Sequence, residues 1–459
     1  MSVPRPLAPY PVEAAAKKNG RFGGGAGPRL FLLAGAGFAW LIPALWNPTY
    51  FWALLLWDGL LLLAFLVDWF RLPRASMLRV KREWQHSLSI GVASDASIMV
   101  TTPSGLDLRI SVMDELAPSP WHRLSWLSAV APARETAAVS ERYIPGERGD
   151  TQLGRVFLRY RSAFNMAERW AVADLRQTVR VYPNFEHARK HSVYLARSRQ
   201  IELQMRLMRL RGSGSDFESL REYRESDELR NVCWTATARR GKLVAKTFRV
   251  ERSQAVWLLL DCGRLMRTRS EGYSKLDRSV DAALCLSQLA LYSGDRVGLL
   301  AYGRALNQRV MPGRGAAQLR HLVEQLAVVR TEVPEADHIR AAATLLSLQK
   351  QRGLVIWITD LAETAMTPEV VDAAGQLLSR HLLLFIVIAQ PEVKKQASVS
   401  PANSQEMYET VAAQEMVFRR DLLLGRLREH GALCLEVAPR NLSAALLNQY
   451  LAVKERNMI

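Results

Sequence analysis

Three hydrophobic patterns follow one another along the chain. The first is a greasy stretch. From residue 30 to residue 57 no side chain carries a charge, and two apolar blocks, 30–46 and 50–67, are separated by Asn47-Pro48-Thr49. Each block approaches the ~20 residues that cross ~30 Å of hydrocarbon, and Asn-Pro is a turn signal that would break one long helix. The expected element is a two-helix transmembrane hairpin over 30–70. Trp46, Tyr50 and Trp52 sit at its loop end, with Trp69 and Phe70 at the other, where amphipathic aromatics prefer to lie. The second pattern is short runs with turn signals. Strands are expected at 78–81, 97–101, 106–112, 136–143, 151–160 and 178–182, with the turn Pro145-Gly146-Glu147-Arg148-Gly149 among them. This spacing predicts a small antiparallel β-sandwich over 78–183. The third pattern begins at 255. Continuous apolar runs at 256–261, 297–302, 354–359, 382–388 and 433–437, with a further strand at 305–311, alternate with helices at 275–291, 318–328, 338–351, 368–379, 405–430 and 442–454. Strands apolar on both faces belong to a parallel sheet covered on both sides, so the fold class is α/β. Its C-terminal part is a doubly wound domain whose ligand site lies at the C-terminal ends of the strands. Between the last two patterns, 184–211 reads as an Arg-rich helix and Gly212-Ser213-Gly214-Ser215 as its stop, making 184–215 a linker helix and loop.

Charge adds orientation. Arg5, Lys17, Lys18, Arg21 and Arg29 precede the apolar blocks, Arg71, Arg74, Arg79, Lys81 and Arg82 follow them, and the connecting loop has no charge. The positive-inside rule then places both ends in the cytoplasm. Residues 1–29 read as a basic cytoplasmic leader, and the protein as a multi-pass inner (cytoplasmic) membrane protein with its soluble domains on the cytoplasmic side. The long leader, the second block and the lack of a small-residue cleavage site speak against a signal peptide. Asp58, inside the second block, is expected to be protonated or paired, facing the first helix or an oligomer contact, with a functional role as the sharper alternative. The net charge of +17 is compatible with nucleic acid, an anionic membrane or an acidic partner. The basic residues are scattered, and no aromatic–basic interleaving on one sheet face is expected, so nucleic acid is not expected as a partner. Cys233, Cys262, Cys285 and Cys434 are far apart, which suits buried thiols in a reducing compartment.

Two of the apolar strands end in aspartate, Asp261 and Asp360. The first continues as Cys262-Gly263-Arg264-Leu265, and the stretch resembles the metal-ion-dependent adhesion site of von Willebrand factor A domains. That site uses Asp-x-Ser-x-Ser, a Thr from a second loop and an Asp from a third, because hydroxyls, carboxylates and water give a hard cation its oxygen shell. Here Gly263 and Leu265 stand at the serine positions, and Pro334-Glu335-Ala336-Asp337 has Ala336 at the threonine position. Two carboxylates without hydroxyls hold Mg²⁺ poorly, so no cofactor is expected. Asp261, Gly263, Asp337 and Asp360 are read as partner-binding residues on the sheet-edge loops. The alternative is a metal-dependent ligand-binding domain using the residual Asp261 and Asp360. Nothing matches a nucleophile elbow, a zinc-protease helix or a phosphate-binding loop, so catalysis is not expected. His338, beside Asp337, reads as an exposed helix start.

The segment 220–239 carries Leu220, Arg221, Tyr223, Asp227, Arg230, Trp234, Ala238 and Arg239 in the order L-R-x-Y-x-x-G-D-x-x-R-x-I-x-W-x-x-x-A-R, with Ser226 for the glycine and Val232 for the isoleucine. This resembles the signature of the domain-of-unknown-function 58 family. The Pro145–Gly149 turn, Ser162-Ala163-Phe164 and Val181-Tyr182-Pro183 are similar to that family's middle region. Residues 216–459 are thereby expected to join this signature segment to a von Willebrand factor A-like domain. The resemblance implies a membrane-anchored protein-interaction module, an adaptor or co-chaperone working with a MoxR-type AAA+ ATPase in the assembly or maturation of other proteins; whether it is an oligomer is left open by the sequence. Within the signature, Arg221, Tyr223, Asp227, Arg230, Trp234 and Arg239 are expected to form a charged and aromatic network packed around Trp234.

Overall fold

A computed structural model describes residues 8–20, 23–121, 123–184, 194, 197–201, 216–223, 232–249, 254–270, 272–361, 369–456 and 458. They fall into two units, one of residues 5–182 and one formed chiefly of residues 183–459.

The first unit is a curled antiparallel sheet that closes over its own core. Its strands are β1 (Val12–Lys18), β2 (Gly24–Ala26), β3 (Arg79–Trp84), β4 (Ser94–Thr101), β5 (Leu108–Asp114), β6 (Leu127–Ala131), β7 (Thr136–Tyr143), β8 (Gly149–Leu153), β9 (Val156–Ser162), β10 (Ala167–Ala173) and β11 (Gln177–Val181). The order is β6-β5-β9-β10-β1-β3-β4-β7, β2 adds to β10, and β8 pairs β11 apart. In β7 every second residue is buried, the period-2 signature of a sheet with one wet face. Val80, Ile98 and Val139 from one arm meet Ile110, Leu158 and Ala171 from the other in one core. The arms share β1, whose residues 16–18 pair β10 and 12–15 pair β3. The stretch read as a leader over 1–29 therefore contributes two strands, and the sandwich begins at Val12 rather than at 78. The expected strand 151–160 is two strands, broken at Gly154 and Arg155, and β6 and β10 were not expected.

Between β1 and β3 the chain makes its apolar helices. These are α1 (Pro28–Gly37), a 3₁₀ turn (Phe38–Trp40), α2 (Leu41–Ala44) and α3 (Tyr50–Arg71). The Trp57 indole donates to the Leu33 carbonyl at 3.0 Å. Gly37 admits that ring, since a Cβ there would lie 2.7 Å from Trp57 Cδ1. Tyr50–Met77 is a run of 28 residues long and apolar enough to cross a membrane; another apolar helix, Pro28–Pro43, is shorter. It is Trp57, and not Asp58, that faces the first helix: Asp58 is exposed on α3.

The helices are fixed to the sandwich by a carboxylate. Asp68, buried in the last turns of α3, accepts from the Ser162 hydroxyl and from the amides of Met166 and Ala167 at 3.0 and 2.9 Å. Inside the sandwich, Arg82 and Asp114 form a fully buried ion pair. Arg82 also donates to the carbonyls of Leu175 at 2.9 Å and Gly154 at 3.1 Å, so its fork is spent on a fixed cage. Burial and the Asp114 charge push the nearby Glu141 carboxyl up to about 7 against the opposing pull of Arg82.

The outer face of β6-β5-β9-β10 corrects one expectation. Cross-strand rows bring Arg109 beside Val130 and Arg161, and Ser111 beside Arg159, which neighbours Trp170. Arg159 stacks on Trp126 at 4.5 Å. Aromatic and basic side chains thus do interleave here, around a groove of about 130 Å³ lined by Asn19, Met113, Trp126, Phe157, Leu158, Arg159 and Trp170. Residues distant in sequence become neighbours through strand pairing, which linear spacing does not display.

The second unit opens with β12 (Asp216–Glu222), α4 (Trp234–Arg240) and β13 (Val244–Arg249); β12 and β13 pair antiparallel. Then come β14 (Ala255–Asp261), the short β15 (Arg269–Ser270) and β16 (Tyr273–Ser274), α5 (Lys275–Tyr292), β17 (Arg296–Tyr302), β18 (Leu306–Gly313), α6 (Gly315–Val328), α7 (His338–Leu348), β19 (Leu354–Thr359), α8 (Glu369–Leu378), β20 (Leu382–Ile388), α9 (Pro391–Ala397), α10 (Ser404–Glu429), β21 (Leu433–Val437) and α11 (Leu442–Glu455). The sheet order is β18-β17-β14-β19-β20-β21, parallel except for edge strand β18. β14, β19 and β20 are buried at every residue, as continuous apolar strands covered on both faces must be. Trp257, Trp357 and Phe385 pack with Leu345, Leu377 and Leu427 from the helices. Most of the expected linker helix lies outside the described residues; Tyr194 and residues 197–201 are helical.

Candidate functional site

β14 and β19 are neighbouring parallel strands, and both deliver an aspartate to the same end of the sheet. Asp261 closes β14 and is buried. Its Oδ1 accepts from the Gly263 amide at 2.7 Å and its Oδ2 from the Thr359 hydroxyl at 2.6 Å. Burial raises its pKa, while the charge of His338 and these two donors pull it down. Sequence reasoning missed Thr359, the hydroxyl that touches Asp261, because it is the last residue of β19.

Asp360 follows β19 directly and is also buried. It is held by two cations. Lys275 Nζ, at the start of α5, donates to Oδ2; Gln390 Nε2 donates to the same oxygen at 3.1 Å. Arg420 Nη2, from α10, donates to Oδ1 at 3.3 Å. Arg420 also reaches Glu436 at 3.3 Å, and Glu436 accepts from Lys394 at 2.7 Å. The result is a chain of alternating charge running outward, Lys275–Asp360–Arg420–Glu436–Lys394. The capping box of Ser274 and Asp277 starts α5 where Lys275 turns inward.

Gly263 is where the expected serine is missing, and the loop geometry gives the reason. A Cβ there would sit 2.9 Å from the Ala336 amide nitrogen and 3.1 Å from Ala336 Cβ. The loop carrying Ala336 packs directly on Gly263, and Arg264 N donates to the Pro334 carbonyl at 3.1 Å. Asp337 is the N-cap of α7: its Oδ1 accepts from the Arg340 amide at 2.8 Å. His338 corrects an expectation, being buried rather than exposed. Its Nδ1 lies 2.9 Å from the Tyr302 hydroxyl, which accepts from Trp357 Nε1 at 2.6 Å. Burial lowers the His338 pKa, with the Asp261 charge acting against that.

Asp261, Gly263, Asp337 and Asp360 are therefore gathered at one end of the sheet. Among the described residues, the oxygens that a divalent cation would use at this end already have partners. Asp360 spends both oxygens on Lys275, Gln390 and Arg420, Asp261 spends both on Gly263 and Thr359, and Gly263 has no room for a hydroxyl. A hard cation takes six or so oxygens, several of them water, and would have to displace these donors to reach the carboxylates. The rim around this end is exposed: Val333, Glu335, Ile339 and the Arg264–Glu335 pair at 3.2 Å.

Of the expected signature network, the described residues do not bury Trp234. Trp234 is 67% exposed at the start of α4, and Arg239 is exposed on the same helix. Tyr223 donates its amide to the Leu243 carbonyl at 2.9 Å, and Arg221 pairs with Ala245 across β12 and β13. Asp227 and Arg230 lie outside the described residues.

Residues 219–415 match the family model described as Protein of unknown function DUF58. Uncharacterised proteins of Mycobacterium tuberculosis and Mycobacterium bovis are 25% identical over 184 residues, 39% of this chain. The match spans 56% of the length of these curated relatives. Among solved structures, the proximal thread matrix protein 1 of the mussel byssus is 13% identical over 44% of this chain and 47% of its own, with a TM-score of 0.29. BatB from Bacteroides thetaiotaomicron is 12% identical over 44% of this chain and 99% of its own, also with a TM-score of 0.29. At those scores the likeness decides nothing about the fold. The family match covers the signature strands, the Asp261 and Asp360 strand ends and the start of α10, and over that region the chain is similar to the DUF58 family.

Proposed function

We propose that the protein is a membrane-anchored interaction module whose parallel-sheet end, around Asp261 and Asp360, docks another protein without a metal. The observation that carries this reading is the Lys275–Asp360–Arg420 arrangement. A basic side chain neutralises the carboxylate that a metal-dependent adhesion site would turn to a cation, so the loops are held in place by the chain's own charges. The fold is read as von Willebrand factor A-like and doubly wound, a scaffold that presents loops at this end. Val333 and Ile339 supply apolar contact area, and the Arg264–Glu335 pair supplies charge for register.

The partner that the family resemblance favours is a MoxR-type AAA+ ATPase, with the module acting as adaptor or co-chaperone in the maturation of other proteins. The apolar segments are read as a two-helix hairpin in the inner membrane. Its support is that β1 and β3, which flank it, pair with each other. Both ends of the hairpin then lie on one side of the bilayer, the cytoplasmic side by the charge rule.

The test is calorimetric titration of the full chain in nanodiscs with a nucleotide-free MoxR-type ATPase, with and without EDTA. The full chain is required because a fragment beginning at residue 78 would lack β1. Binding is expected to survive chelation and to be lost in the Val333→Asp/Glu335→Arg double variant. Binding that requires Mg²⁺, or that is indifferent to the rim, would overturn the docking surface.

A further inference from the structure

The turn between β9 and β10 stands where the apolar helices enter the sandwich, and its side chains are arranged for a lipid surface. Asp68 holds the turn from below through Ser162, Met166 and Ala167. Arg29, at the start of α1, donates to the carbonyls of Ala163 at 3.1 Å and Phe164 at 3.3 Å. Arg71, the last residue of α3, lies over the Phe164 ring at 5.8 Å. The turn is thus clamped by the first turn of one apolar helix and the last of the other. Asn165 is in the left-handed region at φ 60°, so the turn carries backbone strain that the clamp offsets.

What the clamp exposes is unusual for a loop tip. Phe164 is 58% exposed and Phe70 is 78% exposed. Beside them stand the exposed cations Arg29 and Arg71, and Arg74 is exposed three residues farther along the chain. Apolar rings with a collar of arginine at the end of an apolar helix match the headgroup layer of a bilayer: the rings sit among the upper acyl carbons and the guanidinium groups meet phosphate. The turn is continuous with the helices, and its charge is opposite to that of an anionic leaflet. We propose that the Ser162–Met166 turn is an interfacial anchor, with Phe164 inserted into the headgroup layer of an anionic bilayer and Arg29, Arg71 and Arg74 contacting lipid phosphate. This rests on the membrane reading above and deepens it. The anchor fixes the height of the sandwich over the membrane and makes Ser162-Ala163-Phe164 a lipid-reading segment.

The experiment uses the full chain with Cys233 and Cys434 replaced by serine, reconstituted in vesicles of phosphatidylcholine alone or mixed with phosphatidylglycerol. A nitroxide label is placed in turn at Phe164→Cys, at Val130→Cys on the outer face of the sandwich, and at Leu56→Cys in α3. The ratio of collisions with oxygen to collisions with a water-soluble nickel chelate reads depth. The label at 164 is expected to give a ratio several-fold above that at 130 and below that at 56. Adding phosphatidylglycerol is expected to raise it, and the Arg71→Gln/Arg74→Gln variant to abolish that rise. A label at 164 as wet as the one at 130, while 56 reads lipid, overturns the anchor and leaves the membrane helices standing. A wet label at 56 as well overturns the membrane reading and the anchor with it. A ratio at 164 indifferent to lipid charge overturns the phosphate contacts.

Discussion

Each unit buries an ion pair, and the two are built for different ends. In the sandwich, Arg82 and Asp114 are fully buried, and Arg82 spends its remaining donors on backbone carbonyls of residues 154 and 175. The pair is a closed cage, and it ties β3 to β5. At the sheet end, Asp360 is held by Lys275 and Arg420, but Arg420 passes the charge on to Glu436, and Glu436 to the half-exposed Lys394. This is an open chain that ends at the surface. A closed cage fixes a core, whereas an open chain fixes loops beside solvent, where a partner can reach them. Buried ionic groups therefore have to be read by what their outermost member touches.

The largest effect should come from opening the cage. Asp114→Ala leaves the Arg82 charge buried and uncompensated, and thermal or urea unfolding should show a loss of about 3–5 kcal/mol. A loss below 1 kcal/mol would mean that water reaches Arg82 and that the cage is not closed. Asp360→Ala should cost about 3 kcal/mol, at the lower end, because Arg420 keeps Glu436. The paired replacement Lys275→Met/Asp360→Leu should recover most of that loss, since it removes both charges together.

A fourth variant separates the regions by pH. Glu141 has its pKa raised from 4.5 to about 7 in the sandwich. The folded state keeps this proton after the unfolded chain has lost it, so stability falls as pH rises from about 4.5 to about 7 and is level above. The fall is on the order of 3 kcal/mol at most. Glu141→Gln should flatten this part of the stability–pH curve; an unchanged slope would assign the dependence to other groups.

At the sheet end, Gly263→Ser should cost about 1–3 kcal/mol, because its Cβ meets the Ala336 backbone. It should leave Mg²⁺ affinity unmeasurable by calorimetry despite restoring a motif hydroxyl, and appearance of tight Mg²⁺ binding would break the distinction drawn here. The smallest effect is expected from Trp234→Ala, within about 0.5 kcal/mol by the same unfolding assay, because the ring is in solvent. A larger loss would restore the idea of a packed signature network.

The parallel sheet was legible residue by residue because burial on both faces forces apolar runs such as Trp257–Leu260 and Ile356–Ile358. The sandwich was less legible. β1 reads Val-Glu-Ala-Ala-Ala-Lys-Lys, with Ala14 and Ala16 turned in and Ala15 and the lysines exposed, and small inward residues carry almost no hydrophobic signal. Its lysines look like membrane-flanking charges. At the site, the strand-end aspartates stood out, but their partners did not. Lys275 is 85 positions from Asp360 and Arg420 is 60, and each is an ordinary helix cation until the fold turns it inward. Asp68 was invisible for the same reason: its partners are 94 to 99 positions away.

The position of β1 sets a timetable for making the protein. It is the strand that joins both arms of the sandwich, yet its partner β10 emerges from the ribosome only after the whole apolar segment and eight further strands. At ~5–20 residues per second this is a wait of about 10–30 s. Until β3 is made the newborn chain holds β1 unpaired, and until β10 is made β1 keeps one open edge. Under the membrane reading proposed above, insertion of the helices comes first and brings β1 back beside β3, and the bilayer would be the template on which the sandwich closes.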